Sequence, residues 1–174
     1  RYFLSLFCLN QGSQNQQGSM AGPLKSGKVD SNLKLAKKKF AIIVAEWNED
    51  ITEALYETAV TSLLAHGVRR ENIKRKNVPG TFELSLGALW MGEEKHIDAV
   101  ICLGCVIQGE TPHFDYICQA VAYGLTEASL KTRKPVIFGV LTTLNRQQAL
   151  DRAGGKYGNK GEEAALTAIK MLDF

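Results

Sequence analysis

The chain has 174 residues, of which 45% are apolar and 22% charged, a balance that suits one folded domain with a sizeable core and excludes a disordered chain. Its net charge of +3 is unevenly placed: residues 1–39 hold seven lysines and arginines against Asp30 alone, a balance of +6 that leaves −3 on the remainder. Such an acidic body offers no basic face to nucleic acid, and no apolar run approaches the roughly 20 residues of a membrane-spanning helix, so neither is expected as a partner.

Four cysteines are present, Cys8, Cys102, Cys105 and Cys118. Cys102 and Cys105 fall in a strand-like run, where residues three apart point to opposite faces, so they are expected to be thiols of a reducing, cytoplasmic compartment and not metal ligands.

Along the chain, residues 1–39 differ from everything that follows. "RYFLSLFCL" is apolar, "NQGSQNQQGSM" has linker composition, and the lysines crowd after it. We expect an N-terminal extension over 1–39, with 1–19 a fused or processed segment and 20–39 a basic flexible arm, then a folded domain over 40–174. "FAIIVA" (40–45) is a short apolar strand, followed by the polar turn Glu46 to Glu49. A helix is predicted next, with Ile51, Leu55, Ala59 and Leu63 on one stripe, a capping box from Asp50 and Glu53, and Gly67 closing it.

The alternation then repeats. "IKRKNVPG" (73–80) reads as a strand and turn, 81–95 as a helix capped by Thr81, and 98–107 as a central strand that is apolar throughout. A helix over about 114–131 and a strand over 135–142 follow, then helices over 145–153 and about 159–172 joined by the glycine-rich "AGGKYGNKG". Repeated strand–helix units imply right-handed crossovers and a three-layer α/β/α sandwich around a four-stranded parallel sheet, in the flavodoxin-like class.

In such sheets ligands bind beyond the carboxyl ends of the strands, and the unusual residues of this chain fall there. After the first strand comes Trp47, whose flat face suits a planar ring. After the second come Pro79 and Gly80 with Thr81, Phe82 and Glu83, where a helix start leaves amides free for polar ligand edges. After the third comes "GETPHF": Gly109 permits close approach, Glu110 and Thr111 flank the next helix start, and Pro112 fixes the direction of His113. An imidazole at that helix start is expected to accept and return a proton, which makes His113 the candidate proton shuttle. Arg152 and Lys160 bracket the late glycine loop and are candidates for holding a phosphate, Arg152 by its fork and Lys160 as a point charge. Neither a Walker lysine motif nor GxGxxG follows a strand, so no nucleotide cofactor is expected.

Taken together, "AEWNEDITEAL", "VPGTFELSLGA", "LGCVIQGETPHFDYIC", "PVIFGVLTT" and "ALDRAGGKYGNKGEEAA" resemble, in order and spacing, the 6,7-dimethyl-8-ribityllumazine synthase family over residues 40 to about 172. The resemblance implies a transferase of riboflavin biosynthesis that condenses 5-amino-6-(D-ribitylamino)uracil with 3,4-dihydroxy-2-butanone 4-phosphate, giving the lumazine, phosphate and water. It implies that Trp47 stacks on the pyrimidine, and that Thr81, Phe82, Glu83, Cys105, Val106 and Ile107 line the pyrimidine and ribityl pocket. Glu110 and Thr111 would meet the butanone phosphate, His113 would move protons and Arg152 would hold the phosphate. Phe138 would close the ring pocket from a neighbouring subunit, with Lys160 near the same interface. Trp47 stands where many relatives have Phe, and Cys105 where Ala is frequent. Each step of the reaction moves a proton and none calls for a metal or redox cofactor. As partners the resemblance implies the two small-molecule substrates, a homopentamer that in many relatives closes into a 60-subunit shell, and association with riboflavin synthase. The rival expectation is a cage-forming scaffold of the same family whose N-terminal arm displays a peptide.

Overall fold

The computed structural model describes residues 34–174, so the expected segment 1–19 and all but the end of the arm over 20–39 lie outside the described residues. Four strands, β1 (Phe40–Ala45), β2 (Ile73–Val78), β3 (Ala99–Ile107) and β4 (Val136–Thr143), form one all-parallel sheet in the order β2-β1-β3-β4. The helices are α1 (Glu49–Ala65), α2 (Leu84–Glu93), α3 (His113–Thr132), α4 (Arg146–Asp151) and α5 (Lys160–Leu172). The expected three-layer flavodoxin-like arrangement is the observed one.

The continuous apolar character of β1 follows from burial on both faces. Phe40, Ile42 and Val44 join a core with Ile51, Leu55, Ala59 and Leu63 of α1 and Ala164, Ala168 and Ile169 of α5. Ala41, Ile43 and Ala45 point the other way, into a core with Leu84 and Ala88 of α2 and Val121, Leu125 and Ala128 of α3. Ile42 and Ile43 are fully buried, each contributing about 1.5–3 kcal/mol by removal from water. At the open edge, β2 carries exposed Lys74 and Lys76, charges that discourage another strand from adding there.

The body begins before Phe40. Leu35 is buried in the first core, Asn72 Nδ2 donates to the carbonyl of Ala36 at 2.8 Å, and Lys38 pairs with Asp98 at 3.1 Å.

Two helix starts differ from expectation. The N-cap of α1 is Asn48, in the left-handed conformation at φ 59°. Asp50 and Glu53 form no capping box, because Asp50 is taken by Arg146 and Glu53 by Arg75. Helix α2 begins at Leu84, since the Thr81 side chain is buried against the sheet and its carbonyl, not its hydroxyl, receives the Leu84 amide at 3.2 Å. At the other end of α1, Gly67 closes the helix at φ 89° as expected.

The glycine-rich connection is a small antiparallel hairpin, β5 (Ala153–Gly155) with β6 (Gly158–Asn159), where a loop was expected. Asn159 explains its position. Its Oδ1 accepts the Gly161 amide at 2.8 Å to cap α5, while its Nδ2 donates to the Ala54 carbonyl at 3.1 Å and Thr58 Oγ1 at 3.0 Å on α1. A buried amide with each group satisfied specifies one docking geometry. Gly161 then lies so close to α1 that a β-carbon there would sit 1.9 Å from the Leu55 carbonyl oxygen.

Candidate active site

The strand order reverses direction between β1 and β3, and the crevice above that pair is where open α/β sheets bind ligands. Unequal strand lengths leave one edge of β3 uncovered there. Strand β1 stops pairing at Val44, opposite Leu103, while β3 runs on to Ile107 with β4 as its only partner. Over that extension the Cys105 and Ile107 peptide groups face away from β4, into the space above the end of β1. One of them is occupied: Asn48 Nδ2 donates to the Cys105 carbonyl at 3.0 Å. This bond, with the left-handed turn at Asn48, sets the direction in which the preceding Trp47 leaves the strand.

Trp47 is 73% exposed, with its indole beside the turn that follows β2. A β-carbon placed on Gly80 would lie 3.5 Å from Trp47 Cδ1 and 3.0 Å from Glu83 Oε2. The aromatic face and the carboxylate are thus brought against one glycine, with the amides at the start of α2 beside them. Thr81, 6% exposed, packs on Gly104 of β3 and forms the floor. Phe82 is exposed at 54%. Cys105 is buried, and burial pushes its thiol up to about 11 against a smaller opposing pull from Arg146. It is a neutral wall group near pH 7, with no thiolate chemistry. Val106 and Ile107 are half-buried beside it.

On the far side of the crevice, Gln108 continues the β3–β4 ladder by donating its amide to Thr143 at 2.9 Å. Glu110, Thr111 and His113 follow, all exposed, with Pro112 as the N-cap of α3 and His113 as its first residue. Among the described residues none hydrogen-bonds to the His113 ring.

Arg152 and Lys160 form a separate group. Arg152 Nη2 lies 2.8 Å from Glu163 Oε1 and 2.9 Å from Oε2, and its Nη1 donates to the Tyr157 carbonyl at 2.6 Å. Lys160 Nζ lies 3.2 Å from Glu163 Oε2. Sequence reasoning passed over Glu163, although its spacing of three from Lys160 on one helix was a usable signal. Neither cation touches Trp47, Thr81 or His113 within the chain. Phe138 is elsewhere again, in a groove of about 400 Å³ between α3 and β4 with Leu125, Thr126 and Leu130. The residues expected at one site therefore fall into three places: the crevice, the cation pair and the Phe138 groove.

The 6,7-dimethyl-8-ribityllumazine synthase family model matches residues 37–174. Proteins of that name from three bacteria are similar to this chain. The one from Cytophaga hutchinsonii is 69% identical over 138 residues, covering 79% of this chain and 87% of the relative. The one from Parabacteroides distasonis is 57% identical over 139 residues, 80% of this chain and 87% of the relative. That from Bacteroides fragilis is 55% identical over 136 residues, 78% of this chain and 95% of the relative. With the parallel sheet, its switch-point crevice and these matches in hand, the chain belongs to the 6,7-dimethyl-8-ribityllumazine synthase family.

Proposed function

We infer that the crevice above β1 and β3 is where this chain carries out the lumazine synthase reaction, the condensation of 5-amino-6-(D-ribitylamino)uracil with 3,4-dihydroxy-2-butanone 4-phosphate in riboflavin biosynthesis. The observation that carries the site is the convergence of Trp47 and Glu83 on Gly80 beside the uncovered peptide groups of β3. An aromatic face with polar backbone groups beside it suits a substituted pyrimidine. Trp47 stacks on that ring; Thr81, Phe82, Glu83, Cys105, Val106 and Ile107 surround it and the ribityl chain.

The amine of the pyrimidine attacks the ketone and water leaves to give an imine; phosphate is then eliminated, the enol tautomerises, and ring closure expels a second water. Protons move at each step, and His113, exposed beside Glu110 and Thr111, is the group we assign to move them. Holding two substrates together supplies much of the acceleration. Arg152, with Lys160, holds the phosphate. Because Arg152, Lys160 and Phe138 lie apart from the crevice within one chain, we assign them to the site of a neighbouring copy. That reading requires a homo-oligomer, for which we propose a pentamer able to close into a 60-subunit shell, working in the cytoplasm and able to associate with riboflavin synthase. The rival reading as a scaffold without chemistry is not favoured.

The test is the appearance of the lumazine's visible absorbance when the purified protein is mixed with the two substrates. A rate above the uncatalysed background that falls in His113→Ala and in Arg152→Ala supports the assignment; a full rate in His113→Ala between pH 6 and 8 removes the proton-shuttle role.

A further inference from the structure

Two cations assigned to phosphate are not waiting empty-handed: both are held by one carboxylate. Arg152 Nη2 donates to Glu163 Oε2 at 2.9 Å and lies 2.8 Å from Oε1, and Lys160 Nζ donates to Oε2 at 3.2 Å. The three side chains are only 24%, 29% and 22% exposed, so water screens them incompletely. Their scaffold is firm. Arg152 Nη1 is anchored on the Tyr157 carbonyl, and the Lys160 amide donates to the Arg152 carbonyl at 2.8 Å, which pins the two residues across the hairpin.

A carboxylate presents to a guanidinium the same geometry of two oxygens as a phosphate does. The cluster carries two positive charges and one negative, a net of +1, whereas a phosphate group near pH 7 carries about −1.5 to −2. Resting on the reading that Arg152 and Lys160 hold phosphate, we propose that Glu163 is a built-in competitor for that phosphate. It occupies both cations between turnovers, yields one or more contacts to the incoming phosphate, and reclaims them as the product phosphate leaves. Glu163 is therefore a positioning residue that sets how tightly inorganic phosphate is retained.

A merely structural role predicts the opposite sign from a competitor role, which makes the proposal testable with inorganic phosphate as the probe. The full-length chain, Glu163→Gln and Arg152→Ala are compared for inhibition by added phosphate and for kcat and KM with each substrate. Glu163→Gln removes the rival charge and keeps the shape, so phosphate inhibition tightens by about five- to tenfold, kcat falls as release slows, and KM for the pyrimidine is unmoved. Arg152→Ala weakens phosphate inhibition by about tenfold. If Arg152→Ala weakens inhibition but Glu163→Gln leaves it unchanged or weaker, the competitor role is wrong and the phosphate reading stands. If Arg152→Ala leaves inhibition unchanged, the phosphate reading fails and the proposal goes with it. Should Glu163→Gln not fold, Glu163→Asp keeps the charge but shortens its reach; a tightening then supports competition, and no change or a loosening overturns it.

Discussion

Thr81 lies directly on Gly104 across the floor of the crevice: a β-carbon on the glycine would come within 2.9 Å of Thr81 Oγ1 and 3.0 Å of both Thr81 Cγ2 and Leu84 Cδ1. The turn after β2 is therefore seated on β3 at this point, and the glycine is there for proximity. Gly104→Ala is expected to destabilise the fold by about 1–3 kcal/mol through overpacking and to raise KM for the pyrimidine. Denaturant midpoints and steady-state kinetics check both. Adding Thr81→Ala should recover part of the stability, giving a coupling that a double-mutant cycle reads directly.

Two other glycines make a contrasting pair. Gly161→Ala sets a β-carbon 1.9 Å from the Leu55 carbonyl oxygen, a backbone atom that cannot swing away, whereas Gly109→Ala meets nothing within 4 Å. We expect the first to cost about 3 kcal/mol or more and the second to stay within about 0.5 kcal/mol by thermal or denaturant unfolding.

The Glu53–Arg75 pair gives a pH dependence with a definite sign. The hydrogen bond from Arg75 holds the Glu53 carboxyl below the usual glutamate range, against a smaller opposing effect of burial. A carboxyl depressed in the folded state stabilises above its unfolded pKa, and that contribution is lost as pH falls through the folded value. Both side chains are about a third exposed, so the pair is worth no more than about 1 kcal/mol. Glu53→Gln should lower stability by that order near pH 7, and the two proteins should converge below about pH 4 in unfolding titrations.

Thiol labelling distinguishes the cysteines. Burial pushes the Cys105 thiol up to about 11 and raises Cys102 further, while Cys118 on α3 is only partly covered. Brief treatment of folded protein with iodoacetamide near pH 7.5 should label Cys118 and spare Cys102 and Cys105, which react only after unfolding; peptide mass spectrometry reads the result.

The separation of the crevice from the cation pair predicts complementation. A chain carrying His113→Ala and one carrying Arg152→Ala are each impaired, yet co-expressed in equal amounts they should regain about a quarter of wild-type activity, the fraction of sites that draws an intact half from each of two copies. No recovery in a verified mixed assembly would assign all these residues to sites within single chains.

Much of this was legible before any coordinates. The runs at 40–45 and 99–107 are apolar throughout because both faces are covered, and the stripe of Ile51, Leu55, Ala59 and Leu63 does face the core. The misreadings arose where a long-range partner overrode a local rule. Asp50 and Glu53 have capping-box spacing, but arginines 96 and 22 positions away claim them. Thr81 has the chemistry of a cap, but a glycine in β3 draws it inward. The hairpin at 153–159 escaped because strands of three and two residues carry no periodicity to read. Local spacing brought Arg152 and Lys160 to notice as cations; the i,i+3 spacing of Glu163 from Lys160 was there to be read, but its link to Arg152, 11 positions away across the hairpin, needed the fold.

The contact between α1 and α5 also has a consequence in time. Asn159 reaches back 105 positions to Ala54, and the apolar stripe of α1 is covered by the last helix of the chain. On a ribosome adding about 5–20 residues per second, that stripe waits on the order of ten seconds for its cover. A nascent chain of this protein therefore passes that interval with one apolar flank open, a natural station for a chaperone, and a chain truncated before Lys160 lacks the helix that closes it.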